Sequence, residues 1–154
     1  MSVEQGGNSV LDAFLQKTPD VIGSRLLTRP IRAGEILFEP GAPYIHAIFP
    51  HSGIISLQAA LKDGRTVEKV MVGSKEFIGI EYVMGDTHLG CQGVVALSGR
   101  ASWLPISDLN MILDQHEDIR LTIRQSGLTL IKGLKQSIIC ASVHSASQRL
   151  STWL

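Results

Sequence analysis

Between Ser24 and Leu104 short apolar or alternating runs are broken by turn residues about every eight to twelve positions, and after Pro105 the apolar period switches to that of a helix. The first texture is that of an all-β barrel or sandwich. Ile36-Leu37-Phe38 reads as a strand closed by Glu39-Pro40-Gly41, and His46-Ala47-Ile48-Phe49 as the next, ended by Pro50-His51-Ser52-Gly53. Ile55, Leu57, Ala59 and Leu61 alternate with Ser56, Gln58 and Ala60, so one face of that run is buried. Lys62-Asp63-Gly64 is a hairpin signal, because Asp-Gly supplies the positive φ angles that such turns need. Thr66 to Val72 returns, and residues 93–97 and 100–104 are expected to form a second hairpin around Ser98-Gly99.

Helices flank this block. From Asn8 to about Ile22 the chain reads as helical: Ser9 followed by Asp12 resembles a capping box, and Val10, Leu11, Phe14 and Leu15 form one apolar face. Thr18-Pro19-Asp20 restarts a short helix with Thr18 as its cap. Beyond Pro105, Ser107 is placed to cap a helix carrying Leu109, Ile112 and Leu113. A longer helix is predicted over residues 117–142, with Glu117 and Asp118 at its positive N-terminal end. In it Gly127, Ile131, Leu134, Ile138 and Ala141 are spaced four, three, four and three apart, an a/d seam suited to the same helix of a second subunit. Leu121, Ile123, Leu128 and Leu130 lie off that seam and suit packing against the β block. Residues 146–154 begin a further helix, with Leu150, Trp153 and Leu154 apolar and little left to pack against.

Composition narrows the function classes. No apolar run approaches the ~18 residues that span a bilayer, and residues 1–8 lack the layout of a secretory signal, so a cytoplasmic protein is expected. Lys+Arg and Asp+Glu each number 14, which leaves no basic excess for phosphate neutralisation; any DNA-reading part is expected elsewhere. Cys91 and Cys140 are the only cysteines and form no CxxC pair, so neither a zinc site nor an iron–sulfur cluster has local support. His46, His51, His88, His116 and His144 are scattered without metal-ligand spacing. No nucleophile–base pair or carboxylate cluster speaks for a metal-dependent cupin enzyme on a similar barrel. The chain is therefore not expected to be an enzyme, and no cofactor or metal is expected.

Several phrases, in this order and spacing, resemble the Crp/Fnr family of bacterial transcription regulators over nearly the whole chain. Ile31-Arg32-Ala33-Gly34-Glu35-Ile36-Leu37-Phe38-Glu39-Pro40-Gly41 is similar to the family's first hairpin, and Phe49-Pro50-His51-Ser52-Gly53-Ile54-Ile55-Ser56-Leu57 to its next strand. Asp63-Gly64-Arg65-Thr66-Val67-Glu68 and Phe77-Ile78-Gly79 continue the likeness. Ser147-Gln148-Arg149-Leu150-Ser151-Thr152-Trp153-Leu154 resembles the first helix of the family's DNA-binding domain. The resemblance implies a mainly β domain with flanking helices: a double-stranded β-helix, the jelly-roll-like β-roll of cyclic-nucleotide-binding domains, followed by a long dimerisation helix. It implies a sensory domain over residues 1–142, then a hinge near His144 and Ser145 and the start of a truncated winged helix-turn-helix over 143–154. A homodimer that senses a small-molecule effector, and binds DNA only through a domain absent from this chain, is the expected assembly. The alternative is a stand-alone module of the same fold that regulates a partner protein.

The family's ligand loop departs from its pattern here. In nucleotide-binding members an acid directly after the Phe-Ile-Gly glycine meets the ribose, and an Arg-Ser pair about ten residues further on holds the buried phosphate, whose desolvation requires a guanidinium fork and amide donors. In this chain Ile80 follows Gly79, the acid comes one place late at Glu81, and the Arg-Ser positions fall on Gly90 and Cys91. No arginine or lysine lies between Phe77 and Leu97, while Glu81 and Asp86 add negative charge; His88 is the one possible cation there. The candidate effector pocket is thus Phe77, Gly79, Ile80, Glu81, Gly90, Cys91 and Gln92, with Leu130, Leu134 and Lys135 of the long helix where a purine would lie. With the phosphate-binding arginine missing, a family-typical response to cyclic nucleotides is not expected.

Overall fold

A computed structural model describes residues 7–143 of the chain. These residues fall into two compact units, divided between Ile119 and Arg120. The first unit is a β-roll with helices before and after it. Its element order is α1 (Ser9–Lys17), α2 (Pro19–Gly23), β1 (Leu27–Ile31), β2 (Ile36–Phe38), β3 (His46–Ala60), β4 (Thr66–Val72), α3 (Ile80–Val83), β5 (Gln92–Pro105) and α4 (Ile106–Gln115), after which α5 (Glu117–Val143) begins. The expected hinge and helix of residues 144–154 lie outside the described residues.

All strand pairing is antiparallel, in the order β1-β5-β3-β4, with β2 also paired to β5. The spine is the β3–β5 pair, which runs from His46 opposite Pro105 to Gln58 opposite Gln92. Here two sequence expectations are corrected. Pro50 does not end a strand, and residues 93–97 and 100–104 do not pair with each other around Ser98-Gly99. Each belongs to one long strand, and both halves of β5 pair with β3. The register shifts between Pro50 and Ile55 explain the misreading, since a bulge accommodates a proline and bends a strand without ending it. At the bend the two backbones touch: a Cβ on Gly99 would collide with the Ser52 carbonyl, and one on Gly53 with the Leu97 carbonyl oxygen.

The roll is filled by Ile31, Ile48, Ile55, Val72, Ile78, Leu89, Val95, Ala101 and Trp103. On one edge β1 tolerates Pro30 because it pairs only with β5, and Arg29 lies 4.3 Å from the ring centroid of Trp103 while pairing with Glu35 at 2.7 Å. The Asp63-Gly64 turn joins β3 to β4 as expected, but of the two residues only Gly64 takes a positive φ, +85°.

The helix caps differ from expectation. Asn8, not Ser9, caps α1, its Oδ1 accepting from the backbone N–H of Val10 and Leu11, both at 3.1 Å. Thr18 precedes α2 but turns its hydroxyl back to the Phe14 carbonyl, at 3.0 Å, instead of capping. α4 starts at Ile106 behind Pro105, so Ser107 is inside the helix rather than at its cap. Arg25 meets the buried carboxylate of Asp108 in the first turn of α4 at 2.9 Å.

The backbone crossing gives a direct test. Gly99→Ala should destabilise the chain by about 2 kcal/mol or more, because the obstacle is backbone and cannot step aside. Gly90→Ala, whose Cβ meets nothing within 4 Å, should stay within about 0.5 kcal/mol. Urea unfolding of the two variants reads the difference.

Candidate effector site

Gly79, with φ +134°, opens α3 and brings the preceding segment against β3, where Ile48 and Ile78 exchange backbone hydrogen bonds of 2.9 and 3.0 Å. Alternate side chains then go to opposite sides. Ile78 enters the roll core, whereas Phe77 stacks on Phe49 with centroids 5.3 Å apart and planes 10° from parallel. Phe49 in turn meets Phe14 of α1 edge-on at 5.7 Å. Phe77 is thus a structural anchor behind the site. Ile80 is half-buried and Glu81 exposed in the first turn of α3.

Glu81 and Cys91 are brought together around a residue that the sequence reading did not single out, Tyr44. Its hydroxyl donates to Glu81 Oε2 at 3.4 Å, and its ring lies 5.8 Å from that of Tyr82. Burial pushes the Tyr44 phenol far above the ordinary tyrosine range, reinforced by the negative fields of Glu81, Asp86 and Cys91. Tyr82 accepts a hydrogen bond from Asn110 Nδ2 of α4 at 2.7 Å, which ties α3 to that helix. The segment between α3 and β5 is pinned back on the chain by Leu89 N–H to the Ala42 carbonyl at 2.8 Å and Tyr44 N–H to the Thr87 carbonyl at 3.1 Å.

The positions where the family would hold phosphate behave differently from an anion site. Gly90 is exposed, needs no glycine conformation, and a Cβ added to it would meet nothing within 4 Å. Cys91 is half-buried, and burial raises its thiol above the usual range; Lys69 opposes this and Glu81 adds to it. Lys69, on β4, is therefore a cation that the fold delivers to this region and that a search confined to residues 77–97 overlooks. Gln92 is engaged with Glu39, its Nε2 donating to Oε2 at 2.9 Å. His88 has its ring against the Thr87 hydroxyl at 2.8 Å. No group of three metal-ligating side chains occurs among the described residues.

Leu130, Leu134 and Lys135 belong to α5 within the second unit. Along that helix Ile131 is 42% exposed, Leu134 43% and Ile138 67%. Ala141 is also exposed, and Gly127 is buried. Among the described residues, no helix is long and apolar enough to cross a membrane.

No family model matches the sequence, and no curated protein matches it. Solved structures do. FixK2 of Bradyrhizobium japonicum superimposes with a TM-score of 0.73 at 12% identity, over 83% of this chain and 63% of its own. CLP, a c-di-GMP-responsive global regulator of Xanthomonas campestris, gives 0.68 at 17% identity, over 89% of this chain and 69% of that one. The N-terminal domain of a transcriptional regulator of Streptomyces coelicolor gives 0.61 at 18% identity, over 89% of this chain and 96% of the other. At these identities the likeness speaks for the fold, and this chain has the fold of the cyclic-nucleotide-binding domain of Crp/Fnr-type transcription regulators.

Proposed function

We propose that this chain is the effector-sensing and dimerising domain of a Crp/Fnr-type DNA-binding regulator, and that its roll does not serve cyclic nucleotides. The observation that carries the reading is the chemistry around Tyr44. Where a cyclic phosphate would need a guanidinium fork, the chain offers Gly90 and Cys91, and the carboxylates of Glu81 and Asp86 face the same phenol. Lys69 is a single flexible point charge, a poor substitute for the bidentate geometry that offsets phosphate desolvation. An effector with hydrogen-bond donors and no phosphate fits such a lining better. Thiol sensing is the weaker option, since a raised Cys91 pKa leaves little of the reactive thiolate at neutral pH.

Dimerisation is supported by the exposed apolar residues Ile131, Leu134 and Ile138, which share the four-three spacing of an a/d seam. The chain's formal charge is zero, so we assign DNA contact to a separate domain of the whole regulator.

Three measurements test this. Calorimetry with cAMP and with cGMP should show no binding tighter than about 100 µM, and micromolar binding of either would overturn the effector reading. Ile138→Lys should weaken self-association in sedimentation at least ~10-fold without lowering the unfolding midpoint of the roll; an unchanged sedimentation profile would remove the seam. Thiol labelling in a Cys140→Ser background should speed up at Cys91 with Glu81→Gln, which removes a charge that raises the pKa. It should slow down with Lys69→Ala, which removes one that lowers it.

A further inference from the structure

The first helix touches two distant parts of the fold, one at each end. At its N-terminal end stands Asn8, whose side chain is wholly buried. Besides capping α1, its Nδ2 donates to the carbonyls of Pro50 in β3 and Glu76, each at 2.8 Å. Glu76 directly precedes Phe77, Ile78 and Gly79, the run that launches α3. The next backbone N–H, of Ser9, donates to the Ser74 carbonyl at 2.9 Å, so the loop before α3 is held twice. One turn and a half further along α1, Phe14 packs on Phe49, which is itself stacked on Phe77. At the C-terminal end Lys17 forms an ion pair with Asp118 in the first turn of α5, and that pair lowers the Asp118 carboxyl below its usual range.

We infer that α1 is a strut between the loop that launches α3 and the first turn of α5, so that a shift at one is felt at the other. A helix of nine residues is a stiff link, and both of its attachments are specific. The buried amide has all its bonding capacity engaged, because a displaced Glu76 carbonyl would leave Asn8 Nδ2 with an unmet donor in the interior. The aromatic stack adds a second contact between α1 and Phe77 that resists sliding. The value of such a strut for sensing rests on the reading of α3 as part of the effector site; the mechanical link itself does not.

Hydrogen exchange on the ligand-free full chain tests it. The reporters are the amides of Ile78, Val83 and Met84, bonded to the carbonyls of Ile48, Gly79 and Ile80, and those of residues 121–123, which close on the first-turn carbonyls of α5. Asn8→Ser keeps a capping acceptor but cannot reach both Pro50 and Glu76. It should accelerate exchange at Ile78, Val83 and Met84 and also at residues 121–123, with Val95 unchanged. Lys17→Ala cuts only the exposed ion pair and should leave the roll folded. It should accelerate residues 121–123 by ~two- to five-fold and carry a smaller acceleration back to Ile78, Val83 and Met84. Acceleration at the near end alone, in either variant, overturns the strut; should Asn8→Ser fail to fold, Lys17→Ala decides by itself. Calorimetry with cyclic nucleotides bears on the effector and not on this link, so either idea can fail while the other stands.

Discussion

Asn8 accepts two backbone hydrogen bonds and donates two, and it joins three pieces of chain that are remote in sequence: the start of α1, the Pro50 bulge of β3 and the loop before α3. A buried polar group of this kind stabilises only when completely satisfied, and each lost partner costs on the order of 1–3 kcal/mol. The apolar core of the roll contributes more in total but is less exacting, since several arrangements of Ile and Val would bury similar area. Asn8 allows few. It fixes where α1 sits on the roll, and the Phe14–Phe49–Phe77 stack then extends that fix toward α3.

Much of this architecture was legible in the sequence. The switch from two-residue alternation to helical spacing at Pro105 marks the end of the roll and the start of α4, and the Asp63-Gly64 turn marks the β3–β4 hairpin. What could not be read were features settled by residues far away. β1 shows no alternation and contains Pro30, and only its place on an edge beside β5 makes it a strand. Pro50 and Gly53 look like terminators in isolation, yet they are the hinge of a strand that β5 holds on both sides of them. Asn8 reads as the beginning of a helix; its reach to Glu76 has no local signature.

The same division holds at the candidate site. The contiguous candidate part, Gly79 to Glu81 and Gly90 to Gln92, is what the likeness to the family's ligand loop implies, and the lack of Lys or Arg within it is read directly from the residues. Tyr44, Lys69 and Glu39 come from strands or loops well before it, and no spacing rule links them to Cys91 or Gln92. Conversely Phe77 belongs to the motif from which the candidate site is proposed, but its ring is committed to the aromatic stack on Phe49. Motif residues suggest where in the chain a site could lie; the residues that set the electrostatics there are supplied by topology.

The long β3–β5 spine has a consequence for how the protein is made. A strand whose partner lies tens of residues downstream cannot pair until that partner has left the ribosome, which at ~5–20 residues per second means a wait of a few seconds. The nearby β4 covers Ile55–Ala60, but until β5 emerges residues 46–54 present an apolar, β-prone stretch, and the bulge around Pro50 lies within it. Proline and a kink are what keep such a stretch from templating onto a neighbouring chain. The bend that shapes the finished roll therefore also guards the nascent one, and its cost to local regularity is offset by a safer birth.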